Sequence, residues 1–412
     1  MRSSSVPSYP SALRLMGIAS LLAAAVVPRS AHSQVTSDMR RLDRGVTYES
    51  VTDPRGPWRY HVIRVDRTRA RIAWQAVRAA DSLRGRERPS AMVQRLTTNG
   101  ATVLAAVNAD FFDLRSGENE NNQVINGEWW KGLKVTESPF DTYDNVHAQL
   151  AIDPAGRPKI DRFMLDAEVS ARGVRMPLLA INANPSGKPE GTALYTSRFG
   201  TQTPLDTSRV TAEAALRLVE QRGDTMVFVR VGAVHERSGT PIPARGAVLS
   251  AYGARTAMLN GIGDGDTTRV VVRTQPTLGE RRRVSTLIGG WPRIVHNGVN
   301  VASRTASVEG TISRNAEVRH PRTAVGYSRD GNTILLIAVD GRSAESVGMT
   351  LIELADVLRA RGAWHAMNFD GGGSTTMIVG ERMVTVPSDP AGERAVGNAL
   401  LLLRKPTSSG RR

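Results

Sequence analysis

The sequence predicts an α+β fold, in which a strand-rich mixed sheet carries few helices and one βαβ unit lies near the C-terminus. Most apolar residues fall in short runs separated by Gly, Pro and Asp, which is typical of strands. Only residues 350–362 combine a start signal, an apolar stripe and a stop signal for a helix. With 412 residues, 40% of them hydrophobic, the chain can bury a large core in one or two domains, which excludes disorder for most of its length.

The strand signature recurs along the chain. Residues 61–65 alternate, and residues 102–107 form a continuous apolar run that predicts a strand buried on both faces. Residues 213–220 fit both a strand and a helical stripe, and the strand is slightly favoured. Further strands are predicted at residues 226–234, 247–250, 269–272, 323–327, 334–339 and 377–379.

The predicted helix begins at a capping box formed by Thr350 and Glu353 and ends at Gly362. Because one strand precedes it and residues 366–369 follow it as another, the three elements predict a βαβ unit. The two strands should end at the same sheet edge, which would bring Asp340 near Asp370.

The first residues predict a secretory signal. Arg2 and Arg14 precede an apolar run at residues 15–27, and small residues up to Ser33 suit a cleavage site. We expect a signal peptide at 1–33, a catalytic domain at 45–404 and a flexible tail at 405–412. The exported mature chain should have no transmembrane segment, whereas an uncleaved anchor is the alternative. The sequence does not indicate an oligomeric state.

The charge of the chain suits an anionic partner. The formal net charge is +15, and the arginines are spread along the sequence, so that the surface should attract anionic substrates. We predict no nucleic-acid binding, because only 5% of residues are aromatic and no basic helix or zinc pattern occurs. With 0 Cys, thiolate catalysis and thiolate-bound zinc are excluded.

A carboxylate stands beside three glycines and several hydroxyls in the run Asn368-Phe369-Asp370-Gly371-Gly372-Gly373-Ser374-Thr375-Thr376. Consecutive glycines let the backbone approach a ligand closely, so that N–H groups can surround an anion that Asp370 faces. A tight turn is the alternative, but a hairpin needs only one or two glycines. We therefore predict an anion site whose contacts are Gly371, Gly372, Gly373, Ser374 and Thr375.

Three other polar runs should meet this loop in one cleft: Asn108 with Asp110, His320-Pro321-Arg322-Thr323 and Asp340-Gly341-Arg342-Ser343. Arginine forks fit phosphate oxygens, and carboxylates can act as acid, base or nucleophile. The set therefore suits a phosphorylated substrate, and paired carboxylates are what glycoside hydrolysis needs. The hard oxygens of Asp340 and Asp370 could also hold a divalent cation such as calcium or magnesium, although no spacing requires one.

Each of these residues also has a structural interpretation. Asp340 could cap a turn, Asn108 could satisfy backbone groups at a strand end, and His320 fits either a substrate contact or a buried polar residue. Trp129 and Trp130 suit a sugar-stacking surface and core packing equally.

Four ordered motifs resemble the phosphodiester glycosidase family: the runs Arg319-His320-Pro321-Arg322-Thr323-Ala324-Val325-Gly326, Val339-Asp340-Gly341-Arg342-Ser343, Gly348-Met349-Thr350-Leu351 and the Asp370 glycine loop. The resemblance runs from about residue 46 to residue 403. The family motif Asn-Gly-Gly-Phe-Phe reads Asn108-Ala109-Asp110-Phe111-Phe112 here, so Asp110 is a substituted or additional site residue.

The resemblance implies an exported glycoside hydrolase that cleaves a sugar 1-phosphodiester, such as one of N-acetylglucosamine, at the anomeric carbon. Asp370 and Asp340 would share the acid–base or nucleophile roles in either order, and Asn108 would orient the sugar or the water. Arg322 and Arg342 would hold the phosphate. Two alternatives remain: a metal-dependent phosphodiesterase that cleaves the P–O bond, and a non-catalytic binder of anionic polysaccharide.

Overall fold

The computed structural model describes residues 34–134, 147–185, 189–280, 282–304, 309 and 316–406. The predicted signal peptide at 1–33 and the tail from residue 407 lie outside these residues. From Val35 onward the chain forms one compact unit. Within the described ranges, no helix combines the length and apolarity needed to cross a membrane.

Strands dominate the described chain, as predicted. In chain order they are β1 (Thr36–Asp43), β2 (Val46–Asp53), β3 (Trp58–Asp66), β4 (Ile72–Arg78), β5 (Val103–Asn108), β6 (Gln123–Ile125), β7 (Glu128–Leu133), β8 (Gln149–Ile152), β9 (Pro158–Asp161), β10 (Met164–Ala171), β11 (Val174–Leu178), β12 (Ala180–Ile181), β13 (Gly191–Thr196), β14 (Thr211–Arg222), β15 (Thr225–His235), β16 (Gly246–Tyr252), β17 (Thr267–Gln275), β18 (Thr286–Gly289), β19 (Arg293–His296), β20 (Val299–Asn300), β21 (Arg322–Tyr327), β22 (Thr333–Val339), β23 (His365–Asn368), β24 (Met377–Val379), β25 (Arg382–Met383) and β26 (Asn398–Arg404). The described α-helices are α1 (Pro89–Thr98), α2 (Thr256–Leu259) and α3 (Leu351–Ala360).

The strands form three sheets. An eight-stranded sheet has the order β1-β2-β3-β22-β21-β23-β19-β20, and a five-stranded sheet has the order β25-β24-β5-β26-β4. A 13-stranded sheet has the order β11-β10-β17-β15-β14-β16-β13-β12-β7-β6-β18-β8-β9. β12 and β13 pair in parallel, so this last sheet is mixed. The predicted α+β class with many strands and few helices is confirmed.

Individual strand predictions also hold. β5 is buried at every position, as its continuous apolar run predicted. The ambiguous segment 213–220 lies within β14, which is a strand. Alternating burial at the start of β14 is weak, because both faces of this part of the strand are covered.

The helix α3 is capped as the sequence predicted. The Thr350 side chain accepts a hydrogen bond from the Glu353 N–H, and the Glu353 carboxylate accepts one from the Thr350 N–H at 2.9 Å. The helix α1 was not predicted, because its preceding residue Arg88 provides no side-chain cap. Burial of Met92 and Val93 against β5 and β26 stabilises α1 instead.

The predicted βαβ unit exists, but its two strands are not neighbours. β21 lies between β22 and β23 and pairs with both in antiparallel orientation. β22 and β23 are therefore parallel to each other, and their carboxyl ends reach the same edge as the start of β21. The expected gathering of Arg322, Asp340 and Asp370 at one edge follows from this arrangement.

Candidate active site

A pocket of about 190 Å³ opens at this edge of the eight-stranded sheet. Asp370 is the one carboxylate among its described lining residues. The other lining residues are Phe111, Trp291, Pro292, Ala316, His320, Arg322, Arg342, Leu351, Asn368, Gly371 and Gly372. The pocket therefore combines one acid with two guanidinium groups and an aromatic wall.

The backbone around Asp370 is held on both sides. Its N–H donates to Ala109 O at 2.7 Å, and its carbonyl accepts from Asn108 Nδ2 at 2.7 Å. Its carboxylate accepts hydrogen bonds from the Gly371 N–H at 2.8 Å and from the Ser374 hydroxyl. The end of β5 thus fixes the start of the glycine loop, where the five-stranded and eight-stranded sheets meet.

Burial raises the pKa of Asp370 to about 6. The hydrogen bonds from Ser374 and Gly371 lower this pKa, as do the charges of Arg394 and Arg322, but desolvation outweighs them. At pH 7 the carboxylate is therefore mostly ionised, and it takes up a proton near pH 6. A group with this property can act as a base or nucleophile at neutral pH.

The glycine loop is shaped by close packing. Gly372 has φ +59, in the region that favours glycine. A Cβ on Gly371 would lie 2.7 Å from Pro321 O, and one on Gly373 would overlap the Asp389 carboxylate and the Arg394 guanidinium. The three glycines thus let neighbouring groups approach the loop.

Most N–H groups of the loop are already engaged. The Gly372 N–H donates to Pro321 O at 2.9 Å, the Ser374 N–H to Gly371 O at 3.1 Å, and the Thr375 N–H to Gly372 O at 3.2 Å. Because these N–H groups are engaged within the protein, the arginine side chains are the main groups in the pocket that can bind an anion.

The two arginines differ in their surroundings. Arg322 is 5% exposed, and it donates to Met349 O at 3.0 Å and to Val318 O at 2.8 Å. Desolvation lowers its pKa to about 10, so it keeps its charge at neutral pH. Arg342 is half-exposed, and its Nη1 lies 3.4 Å from Ser388 Oγ and 3.7 Å from an Asp389 carboxylate oxygen.

His320 lines the same pocket. Its backbone N–H and carbonyl pair with Met349, which fixes the residue beside the start of α3. Burial lowers the pKa of its ring below 6.5, and the charges of Arg322 and Arg342 lower it further. His320 is therefore neutral at pH 7 and offers a hydrogen bond, not a charge.

The Asp340 side chain does not line the pocket. It is 4% exposed, and its Oδ1 accepts a hydrogen bond from the Val386 N–H at 3.0 Å. Its Oδ2 lies 3.6 Å from His61 Nε2, and His61 Nδ1 is 2.9 Å from the Tyr48 hydroxyl. The structure brings Asp340 to the expected edge but turns its carboxylate towards Val386 and His61.

Asn108 and Asp110 also lie behind the pocket. Asn108 is 1% exposed, and its Oδ1 accepts from Thr323 Oγ1 at 2.7 Å and from the Thr376 N–H at 3.0 Å. Asp110 is 2% exposed and accepts from Asn121 Nδ2 at 2.6 Å. Burial raises the pKa of Asp110 to about 7. Both side chains are used in contacts within the protein.

The remaining predicted contact residues of the loop lie inward. Ser374 and Thr375 are buried, and the Thr375 hydroxyl has no hydrogen-bond partner in the described part of the chain. No cluster of three or more His, Cys, Asp or Glu side chains that could hold a metal ion occurs within the described ranges. Asp340 and Asp370 are thus not gathered with a third such ligand there, and the divalent cation stays a prediction.

Sequence reasoning missed two parts of the site. Trp291 forms a wall, with its ring centroid 5.9 Å from that of Phe111. The Asn368 side chain donates to Trp291 O at 2.8 Å and orients this wall. The run Gly289-Gly290-Trp291-Pro292 could have indicated it, because consecutive glycines beside an aromatic residue favour close packing.

The second missed part is the ion pair that covers the glycine loop. Arg394 Nε donates to an Asp389 carboxylate oxygen at 2.7 Å, and Arg394 Nη1 lies 3.4 Å from Ser374 Oγ. The pair therefore links Arg342 to the loop through Asp389. Asp389 and Arg394 follow Asp370 by 19 and 24 positions, and the sequence alone did not place them in the site.

Trp129 and Trp130 lie outside this pocket. Trp130 is 5% exposed, with the Arg198 guanidinium 4.4 Å from its ring centroid. Trp129 is half-buried and lines a different, larger cavity.

Two solved structures share the fold. A protein of Synechocystis described as hypothetical has a TM-score of 0.68 and 20% identity, with 88% of this chain and 62% of that chain covered. A Burkholderia pseudomallei protein has a TM-score of 0.67 and 21% identity, with 90% of this chain and 96% of that chain covered.

Three curated relatives carry the name N-acetylglucosamine-1-phosphodiester alpha-N-acetylglucosaminidase. The Mus musculus protein is 34% identical over 110 residues, which are 25% of this chain and 21% of that protein. The Bos taurus protein is 30% identical over 149 residues, 34% of this chain and 28% of that protein. For the Homo sapiens protein the identity is 30% over 186 residues, 43% of this chain and 35% of that protein.

The chain thus spans between 21% and 35% of the length of these relatives. Residues 219–403 match the family model described as phosphodiester glycosidase. This part contains all the pocket residues from Trp291 onward, whereas Asn108, Asp110 and Phe111 lie before it. The expected resemblance to the phosphodiester glycosidase family is therefore confirmed for residues 219–403.

Proposed function

We propose that this protein hydrolyses a sugar 1-phosphodiester at the anomeric carbon and releases the free sugar and a phosphomonoester. The observation that carries the proposal is the placement of Asp370, a carboxylate with a pKa of about 6, in one pocket with Arg322 and Arg342. The names of the three relatives make N-acetylglucosamine the first sugar to test. Export rests on the predicted signal peptide.

In the proposed reaction, the negative charge of the phosphate helps it to leave the anomeric carbon. A phosphomonoester leaves as an anion and needs little protonation, so one ionised carboxylate can carry the step as nucleophile or as base for a water molecule. Arg322 and Arg342 would neutralise the phosphate, and His320 would donate a hydrogen bond to it. Trp291 would contact the apolar face of the sugar.

Asp340 has a positioning role in this proposal. Its carboxylate holds the Val386 N–H, and Ser388 and Asp389 in the same segment contact Arg342. Asp340 therefore sets the position of the phosphate-binding arginine without touching the substrate.

Asn108 and Asp110 support the pocket from behind. Asn108 joins the Asp370 carbonyl to Thr323 and Thr376, and so fixes the direction of the Asp370 side chain. Asp110 follows Ala109, whose carbonyl accepts the Asp370 N–H. We propose that both act through Asp370 and not on the substrate.

The test is hydrolysis of an N-acetylglucosamine 1-phosphodiester in oxygen-18 water. Cleavage at the anomeric carbon leaves the phosphomonoester unlabelled, whereas cleavage of the P–O bond on the sugar side places oxygen-18 in it. The phosphomonoester is the readout, because a free reducing sugar exchanges its anomeric oxygen with water. Label in the phosphomonoester would contradict the proposal and favour a phosphodiesterase.

Asp370→Asn separates an enzyme from a binder. We expect it to lower turnover by about 100-fold to 10,000-fold while substrate binding persists. Asp356→Asn is the matched control, because Asp356 is exposed and pairs with Arg359 on α3. Binding without turnover by the unmodified protein, across a panel of sugar phosphodiesters, would favour a polysaccharide-binding function.

A further inference from the structure

A second and larger cavity lies away from the candidate active site. It has a volume of about 730 Å³ and shares no lining residue with the smaller pocket. Its walls come from β14, β15 and β17, from the start of β7, and from residues 277–280 and 282–284. A concave site of this size can enclose most of a small organic ligand.

The floor of this cavity is apolar. Phe228 and Val272 are buried in it, whereas Trp129, Leu218 and Met226 remain partly exposed. These last three pack against the apolar core of the 13-stranded sheet while their free faces line the cavity. A ligand that covered them would remove further apolar surface from water.

The rim of the cavity is charged. Arg282 is already engaged, since it donates to Asp153 at 2.9 Å and to Leu278 O at 3.1 Å. In contrast, Arg245, Arg273 and Arg283 form no ion pair with another described residue.

The rim also carries three acids. Glu128 is engaged, because it accepts hydrogen bonds from Arg198 at 2.8 Å. Asp224 and Glu280 line the cavity without an ion pair in the described ranges. Three unengaged guanidinium groups therefore face two unengaged carboxylates, and the balance favours an anion.

We propose that this cavity binds an amphipathic anion, which places an alkyl chain on the floor around Trp129 and an anionic head at the arginine rim. An apolar chain suits the floor because Phe228, Val272, Leu218 and Met226 carry no N–H or O–H group that could bind a sugar hydroxyl. A phosphate or carboxylate head suits the rim because guanidinium forks bind such oxygens in pairs. The proposal is independent of the reaction at Asp370.

The probe is a series of alkyl phosphates, used below their micelle concentrations and followed by calorimetry and by tryptophan fluorescence. Each methylene that enters the cavity should tighten binding about fourfold, so decyl phosphate should bind roughly 15-fold tighter than octyl phosphate. Decanol, which lacks the charge, should bind at least about tenfold more weakly than decyl phosphate. Equal affinities along the series, or equal affinities of decanol and decyl phosphate, would overturn the proposal.

Two variants locate the site. Ser197→Trp places a ring at the cavity mouth on an exposed position and should reduce decyl phosphate binding at least tenfold. Ser37→Trp, on the exposed strand β1, is the matched control and should bind as the unmodified protein does. Arg273→Gln should weaken decyl phosphate about tenfold and leave decanol unchanged. If Ser197→Trp and Ser37→Trp bind alike, the ligand lies elsewhere and the assignment is wrong.

Discussion

Protonation of Asp370 should make kcat/KM fall at low pH, and we call this fall the acid limb of the pH profile. Replacement of Arg394 by glutamine should move the acid limb to higher pH. The Arg394 charge lowers the pKa of Asp370, whereas burial raises it to about 6. Arg394 stays close to the loop through its contacts with Asp389 and Ser374. Without this charge the ionised form of Asp370 loses stabilisation, so its pKa should rise further.

The size of the effect follows from the pKa of Asp370 with and without the Arg394 charge. With a pKa of about 6, roughly nine-tenths of Asp370 is ionised at pH 7 and roughly one-tenth at pH 5, so kcat/KM should fall about tenfold between them. A nearby opposite charge shifts a carboxyl pKa by about one unit or more. If the pKa of Asp370 in Arg394→Gln is about 7, the variant should be about fivefold less active than the unmodified protein at pH 6 and nearly as active at pH 8.

The assay is kcat/KM for an N-acetylglucosamine 1-phosphodiester from pH 4.5 to pH 9 at constant ionic strength. Arg359→Gln is the control, because Arg359 is half-exposed on α3 and pairs with Asp356. Asp110 has a pKa of about 7, and His320 is a second titratable group near Asp370, with a pKa that burial lowers. The same limb should therefore be present in His320→Gln and in Asp110→Asn.

Three results would refute this reasoning. One is a defect in Arg394→Gln that is the same at pH 6 and pH 8, which would mean lost positioning and not a changed pKa. Another is an equal shift in Arg359→Gln, which would indicate a general effect of net charge. The third is loss of the limb in His320→Gln, which would assign it to the imidazole.

Three further predictions concern stability and the glycine loop. Asp110 binds its proton more tightly in the folded state, with a pKa of about 7 against 3.8, so its contribution to the free energy of unfolding should fall by about 4 kcal/mol between pH 4 and pH 8. Urea unfolding at both pH values should show that the difference in the free energy of unfolding between the unmodified protein and Asp110→Asn changes by this amount. Gly372→Ala and Gly380→Ala both place a side chain at positive φ and should each cost about 1 kcal/mol of stability. Only Gly372→Ala should also lose activity, because its Cβ would lie 3.0 Å from Arg342 Nη2, whereas Gly380 has open space. Thr350→Ala should lower the free energy of unfolding by about 1 kcal/mol through loss of the α3 cap, and a thermal scan that shows no decrease would contradict this.

Local patterns were sufficient for the elements that depend on near neighbours in the chain. The capping box of α3 joins residues three positions apart, and the fully apolar run of β5 requires cover on both faces wherever the strand lies. The gathering of Asp340 and Asp370 at one edge followed from the parallel direction of β22 and β23, which holds although β21 separates them.

The sequence by itself determined the strand-rich class, the capped helix, the glycine loop and its place at the end of a strand. Only the tertiary structure decided which side chains enter the pocket. Asp340 turns towards Val386, whose N–H, 46 positions away in the chain, donates to its carboxylate. Trp291 and Arg394 reach the loop through contacts with residues remote in sequence. Strand periodicity fixes the face on which a residue lies, but the direction of a side chain beyond a strand end depends on partners that only the folded chain provides.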